Sequence, residues 1–145
     1  MTMRQAASGL RVFVDSTAYF ALAAEKDANH GAALAILRRL ERERFLTVTT
    51  RYILAETHAL IVNRLRRSEL ALKVITEIEH SANTRVEPIA EADEAAARRL
   101  LAQYRDHQFS LTDAISFVVA RRLRIQVAFA FDADFAEYGI PLLSP

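Results

Sequence analysis

Short apolar runs alternate along this chain with longer segments in which apolar residues recur every three or four positions. Runs such as VFV at 12–14, FLTVT at 45–49 and IQVAFAF at 125–131 are typical of buried β-strands, and the longer segments are typical of amphipathic helices. The predicted strands are 11–15, 45–49, 85–87 and 125–131, with a short edge strand at 142–143. The predicted helices are 16–24, 28–44, one that Thr49 or Thr50 caps and that ends near 66, one that Ser68 caps and that ends near 80, 89–104 and 110–124.

Strands that are separated by helices must pair in parallel, because each connection crosses the sheet. The expected fold class is therefore α/β, with three layers in which a central, mostly parallel sheet is flanked by helices. The most apolar strands, 11–15 and 125–131, are expected side by side at the centre of the sheet. We interpret residues 1–9 as a loose polar leader and residues 10–145 as a single domain.

Composition excludes several classes of function. The absence of cysteine excludes disulfides, thiolate zinc sites and a cysteine nucleophile, and the three glycines form no phosphate-binding loop. No apolar run approaches the roughly 18 residues of a membrane span, so none is expected. The net charge is only +1, so any contact with nucleic acid must use local basic patches such as RLRR at 64–67 and RRLR at 121–124.

Acidic residues follow the predicted strands at the edge where an open parallel sheet binds its ligands. Asp15 ends the first strand, and Asp132 and Asp134 follow the last long strand. Glu56, in the helix after the FLTVT strand, and Asp113, in the first turn of a later helix, can reach the same edge. Each residue alone also has a structural explanation as a helix cap, a turn residue or a surface carboxylate.

Together, these carboxylates favour a cation site. Like charges at one edge repel each other and raise their pKa values unless a cation lies among them. Oxygen-only ligands suit Mg²⁺ or Mn²⁺ better than zinc. Such a site can neutralise a phosphodiester and generate hydroxide from water without a nucleophile from the protein. The chain also lacks the GxSxG signature of a serine nucleophile.

Four segments in order resemble the motifs of the PIN-domain family, and within it the VapC-type toxin ribonucleases of toxin–antitoxin systems. VFVDSTAYFAL resembles the first motif, a strand that ends in Asp followed by Ser or Thr. TTRYILAETHALI resembles the second, a helix that carries Glu. SLTDAISFVVARR resembles the third, where Asp opens a helix, and AFAFDADFAEYGIPLL resembles the fourth, where a strand delivers an Asp. The resemblance extends from Val12 to about Leu143.

The resemblance assigns roles residue by residue. The family's metal-binding acids correspond to Asp15, Glu56, Asp113 and Asp132. Ser16 matches the small hydroxyl residue beside the first acid, and Asp134 matches a position that is often acidic. Many relatives carry Thr or Ser two residues before the fourth acid, where this chain has Ala130. A hydroxyl that would support the metal shell is therefore absent, and we expect weakened or altered activity.

A metal-dependent endoribonuclease is the function that the resemblance implies. Mg²⁺ or Mn²⁺ would be bound by Asp15, Asp113 and Asp132, and Glu56 would bind a water or a second ion. Hydrolysis would leave 5′-phosphate and 3′-hydroxyl ends. The resemblance further implies RNA as the substrate, a cognate antitoxin protein that blocks the site, a homodimer and a cytoplasmic location without membrane association.

Three alternative functions fit the sequence less well than a nuclease does. A catalytically inactive PIN module that binds RNA or a protein partner is supported only by Ala130, and the complete set of acids argues against it. A haloacid-dehalogenase-like phosphatase would carry its D-x-D motif near the start of the domain, whereas AFAFDADF lies near the end. A receiver-like domain would need a lysine near the end of its last strand, but the only lysines are Lys26 and Lys73.

The remaining histidines and aromatic residues receive structural interpretations. The four histidines show no metal-ligand spacing and are expected at the surface, at the core boundary or at a helix start. We expect the core to contain Tyr52, Phe109 and Phe117. Of these, Tyr52 is the strongest candidate for stacking on a base, because it lies one turn before Glu56 on the same helix face. Ser116, one turn after Asp113, is compatible with either packing or substrate contact.

Overall fold

The computed structural model describes residues 10–145, so the predicted leader at 1–9 lies outside the described residues. Four parallel strands form one sheet in the order β3-β2-β1-β4. The strands are β1 (Arg11–Val14), β2 (Leu46–Thr49), β3 (Thr84–Val86) and β4 (Ala128–Phe129). The helices are α1 (Ser16–Ala23), α2 (His30–Arg42), α3 (Arg51–Leu65), α4 (Ser68–His80), α5 (Glu91–Gln103), α6 (Leu111–Arg122) and α7 (Asp134–Tyr138). Within the described range, no helix is long and apolar enough to cross a membrane.

Alternating side chains of β1 divide the hydrophobic core between the two faces of the sheet. Val12 and Val14 pack with residues of α1 and α2 on one face, and Phe13 packs with residues of α5 and α6 on the other. Helices therefore cover both faces, as a parallel sheet requires. The predicted three-layer α/β class is confirmed.

The strand predicted at 125–131 is much shorter in the structure. β4 contains only Ala128 and Phe129, because the Ile125 N–H instead donates to the Ala120 carbonyl at 2.8 Å and closes the end of α6. β4 pairs with β1 as predicted, but it lies at the edge of the four-stranded ladder rather than at its centre. The predicted strand at 142–143 is reduced to a single parallel bridge between Ala128 and Leu142.

Side-chain caps fix the starts of the helices that follow β1 and β2. Asp15 accepts a hydrogen bond from the Thr17 N–H at 3.3 Å, and Thr50, not Thr49, accepts one from the Ile53 N–H at 3.2 Å. The prediction that Ser68 caps α4 was wrong, since Ser68 is already the first helical residue. These caps orient α1 and α3 at the carboxyl edge of the sheet.

Arg122, the last residue of α6, connects this helix to the end of β3 and to the first turn of α5. Its guanidinium donates to Asp93 at 2.9 and 3.0 Å and to Glu87 at 2.7 Å. Both carboxylates are buried. Burial raises the pKa of each, but hydrogen bonds that include those from Arg122 outweigh it and hold both pKa values below their usual range. Because α6 also carries Asp113, this network helps to fix the position of that acid.

We expect Arg122→Ala to lower the free energy of unfolding by about 2–3 kcal/mol at pH 7, because Asp93 loses its cation and Glu87 keeps only Arg85. The native pKa values of Glu87 and Asp93 lie below their unfolded values, so their contribution is complete above about pH 5 and is lost as the pH falls. Urea unfolding should therefore show a smaller difference between variant and wild type at about pH 3.

Arg99→Ala is the matched control, since Arg99 is an exposed arginine on α5. We expect this control to change stability by less than about 0.5 kcal/mol. Equal losses of stability in the two variants would contradict the role assigned to Arg122.

Candidate metal centre

The parallel pairing of β1 with β4 brings two acids to the same edge of the sheet. Asp15 follows β1 directly, and its N–H donates to the Phe129 carbonyl of β4 at 3.0 Å, a short distance before Asp132. Glu56 on α3 and Asp113 on α6 reach this edge as well, since the charges of both act on Asp15. The structure thus brings together the four acids that the sequence predicts.

Asp15 is the most deeply buried of these acids, with 2% of its surface exposed. Its Oδ2 accepts hydrogen bonds from the Thr17 hydroxyl at 2.7 Å and from the Thr17 N–H at 3.3 Å. Burial raises the pKa of Asp15 to about 6, despite the lowering effect of these bonds, and the charges of Glu56 and Asp113 add to the increase. Asp15 is therefore a helix cap whose charge is only partly compensated.

Glu56 approaches Asp15 from the second turn of α3. The Ser16 hydroxyl, at the start of α1, donates a hydrogen bond to Glu56 Oε1. Burial raises the pKa of Glu56, the bond from Ser16 lowers it, and the charges of Asp113 and Asp132 raise it further. Ser16 thus orients Glu56 toward the cluster.

Asp113 combines a structural role with its position in the cluster. Its Oδ2 accepts a hydrogen bond from the Ser110 N–H at 2.8 Å, and the Ser110 hydroxyl accepts one from the Asp113 N–H at 3.0 Å. This capping box confirms the helix-cap interpretation of Asp113. A carboxylate has two oxygens, so the cap leaves Oδ1 for another partner.

Asp132 and Asp134 complete the cluster at the start of α7. Burial is the main cause that raises the pKa of each to about 6, and neighbouring acids add to it: Asp15 for Asp132, and Asp113 for Asp134. Asp113 raises the pKa of Asp134 further, through its charge and through side-chain hydrogen bonding. Two carboxylates in contact need either a shared proton or a cation between them. Glu137 on α7 adds further negative charge, and the sequence analysis did not anticipate it.

The chemistry of this cluster fits a divalent cation. It presents oxygen donors only, which suits Mg²⁺ or Mn²⁺. The main causes of the raised pKa values are burial and neighbouring acids, with no basic side chain among them. Within residues 10–145, no three acidic or histidine side chains converge closely enough to form a finished coordination shell. Binding of an ion therefore requires side-chain movements that bring the carboxylate oxygens together around it.

Thr17 is a functional candidate that the sequence analysis missed. Its hydroxyl donates to Asp15 Oδ2 at 2.7 Å and accepts from the Phe131 N–H at 3.0 Å. Phe131 directly precedes Asp132, so one hydroxyl joins the chain segments that carry the two acids. Ala130 contributes only a buried methyl group. Thr17 therefore provides a hydroxyl at the junction where the resemblance led us to expect one from position 130.

Four further residues that the sequence raised as candidates have structural roles. Ser116 is buried and donates to the Thr112 carbonyl at 2.8 Å, so it packs rather than facing a substrate. The Tyr52 hydroxyl donates to Glu94 on α5, and its ring packs against the core. The buried position predicted for Phe109 and Phe117 is confirmed.

Comparison with known proteins gives a consistent family assignment. The PIN domain family model matches residues 12–141. The 23S rRNA-specific endonuclease VapC20 of Mycobacterium tuberculosis, in strains CDC 1551 / Oshkosh and ATCC 25618 / H37Rv, is 34% identical over 135 residues, which cover 92% of this chain and 98% of the relative. The crystal structure of Mycobacterium tuberculosis VapC20, described as a Sarcin-Ricin loop cleaving toxin, matches with a TM-score of 0.82 and 32% identity over 92% of this chain and 99% of that chain.

The chain therefore belongs to the PIN-domain family, and within it to the VapC-type toxin endonucleases. This assignment confirms the resemblance of the four motifs. It also removes the phosphatase and receiver-like alternatives, which belong to other families.

We expect Thr17→Val to weaken Mn²⁺ binding by about tenfold, because Asp15 and the Phe131 N–H both lose their shared partner. Thr17→Ser keeps the hydroxyl and should bind Mn²⁺ within about twofold of wild type. Isothermal titration calorimetry of the two variants measures the difference. Equal affinities in the valine and serine variants would show that the hydroxyl does not position the acids.

In metal-free buffer, Asp15→Asn should be more stable than wild type at pH 7 by about 1–2 kcal/mol. The native pKa of Asp15 is raised from 3.8 to about 6. The folded protein therefore loses stability as the pH rises through this interval and Asp15 becomes charged. The two proteins should have similar stability near pH 4, because Asp15 is then mostly protonated in the folded state. Urea unfolding in EDTA, with Glu41→Gln on the exposed face of α2 as the control carboxylate, measures this. A variant that is less stable than wild type at pH 7 would contradict the raised pKa.

Proposed function

We propose that this protein is a divalent-metal-dependent endoribonuclease and the toxin of a VapBC-type toxin–antitoxin pair. The observation that carries the proposal is that Asp15, Glu56 and Asp132, which separate elements deliver to one edge of the sheet, have raised pKa values with no basic partner among the main causes. Asp113 adds its negative charge to the same group. Such an arrangement opposes folding unless a cation is bound, so a structural role alone does not account for it. The endonuclease activity of the 34% identical VapC20 supports the same class of reaction.

The ion would be held by Asp15, Asp113 and Asp132, with Asp134 as a further oxygen donor. Asp15 and Asp132 extend from paired strands, and Asp113 keeps one oxygen outside its capping box. A bound Mg²⁺ or Mn²⁺ would supply neutralisation of phosphate charge and Lewis acidity toward water. Because the pKa values of Asp15, Asp132 and Asp134 are raised to about 6, protons compete with the ion below that pH.

Glu56 is the residue best placed to accept a proton from the attacking water. Its carboxylate is half-buried, its pKa is raised by burial, and Ser16 holds one of its oxygens. In the proposed hydrolysis, the water oxygen bonds to phosphorus and the bond from phosphorus to O3′ breaks. Glu56 takes a proton from the water, and O3′ leaves as a hydroxyl after protonation. The products are 5′-phosphate and 3′-hydroxyl ends.

The substrate and partners follow from the relatives. VapC20 is a 23S rRNA-specific endonuclease and is described as a Sarcin-Ricin loop cleaving toxin, so an rRNA hairpin loop is the first substrate to test. We further propose a cognate antitoxin that covers the acidic site, a homodimer and a cytoplasmic location. The catalytically inactive alternative depends on Ala130 alone, whereas all four acids are retained.

Wild-type protein with Mn²⁺ should cleave a hairpin RNA, and EDTA should abolish the cleavage. Asp15→Asn should lower the rate by at least about 100-fold, because it removes a charged ligand from the ion. Glu41→Gln, at an exposed position of α2, should retain wild-type activity. Gel analysis of end-labelled RNA measures the rates and identifies the new ends.

Undiminished cleavage in EDTA or by Asp15→Asn would refute the metal-dependent mechanism. RNA binding without cleavage under Mg²⁺ and Mn²⁺ would instead favour the inactive RNA-binding module.

A further inference from the structure

The loop between α5 and α6 carries a small cluster of packed aromatic rings at the surface. The His107 ring stacks on Phe109, with ring centroids 4.9 Å apart and planes inclined by 19°. The Tyr104 ring lies beside this pair, with its centroid 5.5 Å from that of His107 and 5.9 Å from that of Phe109, and Phe109 is buried against Phe117. About 32% of the His107 side chain remains exposed. Phe109 therefore covers one face of the His107 ring, and the Asp106 carboxylate lies at its edge, with Oδ1 3.1 Å from Nδ1. Solvent reaches part of the ring surface that remains.

This aromatic cluster is followed in the chain by an exposed apolar side chain at the start of α6. Leu111 is 43% exposed and is one of the few large apolar side chains on the surface of the described chain. We refer to His107, Phe109 and Leu111 together as the ledge. The His107 ring, supported by Phe109, offers a flat surface of the kind on which single-stranded nucleic acids stack their bases.

The ledge lies next to the proposed metal centre. Ser110 separates Phe109 from Leu111, and its N–H donates to the Asp113 carboxylate at 2.8 Å. His107 precedes Ser110 by three residues, a span of at most about 10 Å. A base attached to a nucleotide at the acids can therefore reach the ledge.

We propose that the ledge binds the unpaired base of a nucleotide that flanks the scissile phosphate. This inference depends on the proposed ribonuclease function and adds a substrate-positioning residue, His107, to it. The base stacks on the outer face of His107 while Phe109 supports the inner face. Leu111 contacts the edge of the base or the ribose. The ring contributes through its flat surface and not through proton transfer.

The test compares His107→Ala with His107→Phe in cleavage of an RNA that carries an unpaired loop. His107→Ala should raise KM by about tenfold with kcat changed by less than about twofold, because a stacking surface is lost while the acids are untouched. His107→Phe keeps a flat ring and should restore KM to within about twofold of wild type. His80→Ala, an exposed histidine at the end of α4, is the matched control and should resemble wild type.

A second measurement reports stacking directly and does not require turnover. RNA with 2-aminopurine at each loop position in turn is titrated with protein in EDTA, and one position should lose fluorescence with wild type and His107→Phe but not with His107→Ala. Wild-type KM in His107→Ala, or equal impairment of the alanine and phenylalanine variants, would overturn the stacking role. Absence of fluorescence loss at every position would overturn it as well. Failure of wild type to cleave RNA would instead refute the proposed function.

Discussion

The parallel pairing of β1 with β4 is the constraint on which the site depends. It places the end of β1, and with it Asp15, against the segment that leads to Asp132, and the bond from the Asp15 N–H to Phe129 fixes that contact. Glu56 and Asp113 then join from helices whose N-termini lie at the same edge. The fold thus assembles acids whose pKa values are raised, which is an unfavourable arrangement for the apoprotein.

Neutral and charged hydrogen bonds around the cluster hold its members in place. Thr17 joins Asp15 to the Phe131 backbone, and Ser16 orients Glu56. At the opposite end of α6, Arg122 binds two buried carboxylates and anchors the helix that carries Asp113. Stabilising ion pairs therefore lie away from the site, whereas the site keeps its acids without basic partners. This division leaves uncompensated negative charge at one edge of an otherwise ion-paired domain.

The sequence was sufficient to predict the fold class and the edge of the sheet at which the four acids lie, because both depend on local patterns. Apolar runs followed by Asp predict strand ends, and parallel strand ends meet at one edge. The length of β4 was not predictable, since Ile125 closes α6 through a backbone bond that leaves no trace in the apolar pattern. Thr17 and Arg122 act through contacts 114 and 29–35 residues away in sequence, and single-sequence periodicity carries no information on such pairs.

The central claim is that this carboxylate edge is a divalent-cation site. Crystals of the wild-type protein soaked in Mn²⁺ and measured at the manganese absorption edge test it most directly. The account predicts an anomalous difference peak in contact with carboxylate oxygens of Asp15, Asp113 and Asp132. No peak at this edge at saturating Mn²⁺, or a peak bound only by other residues, would contradict it.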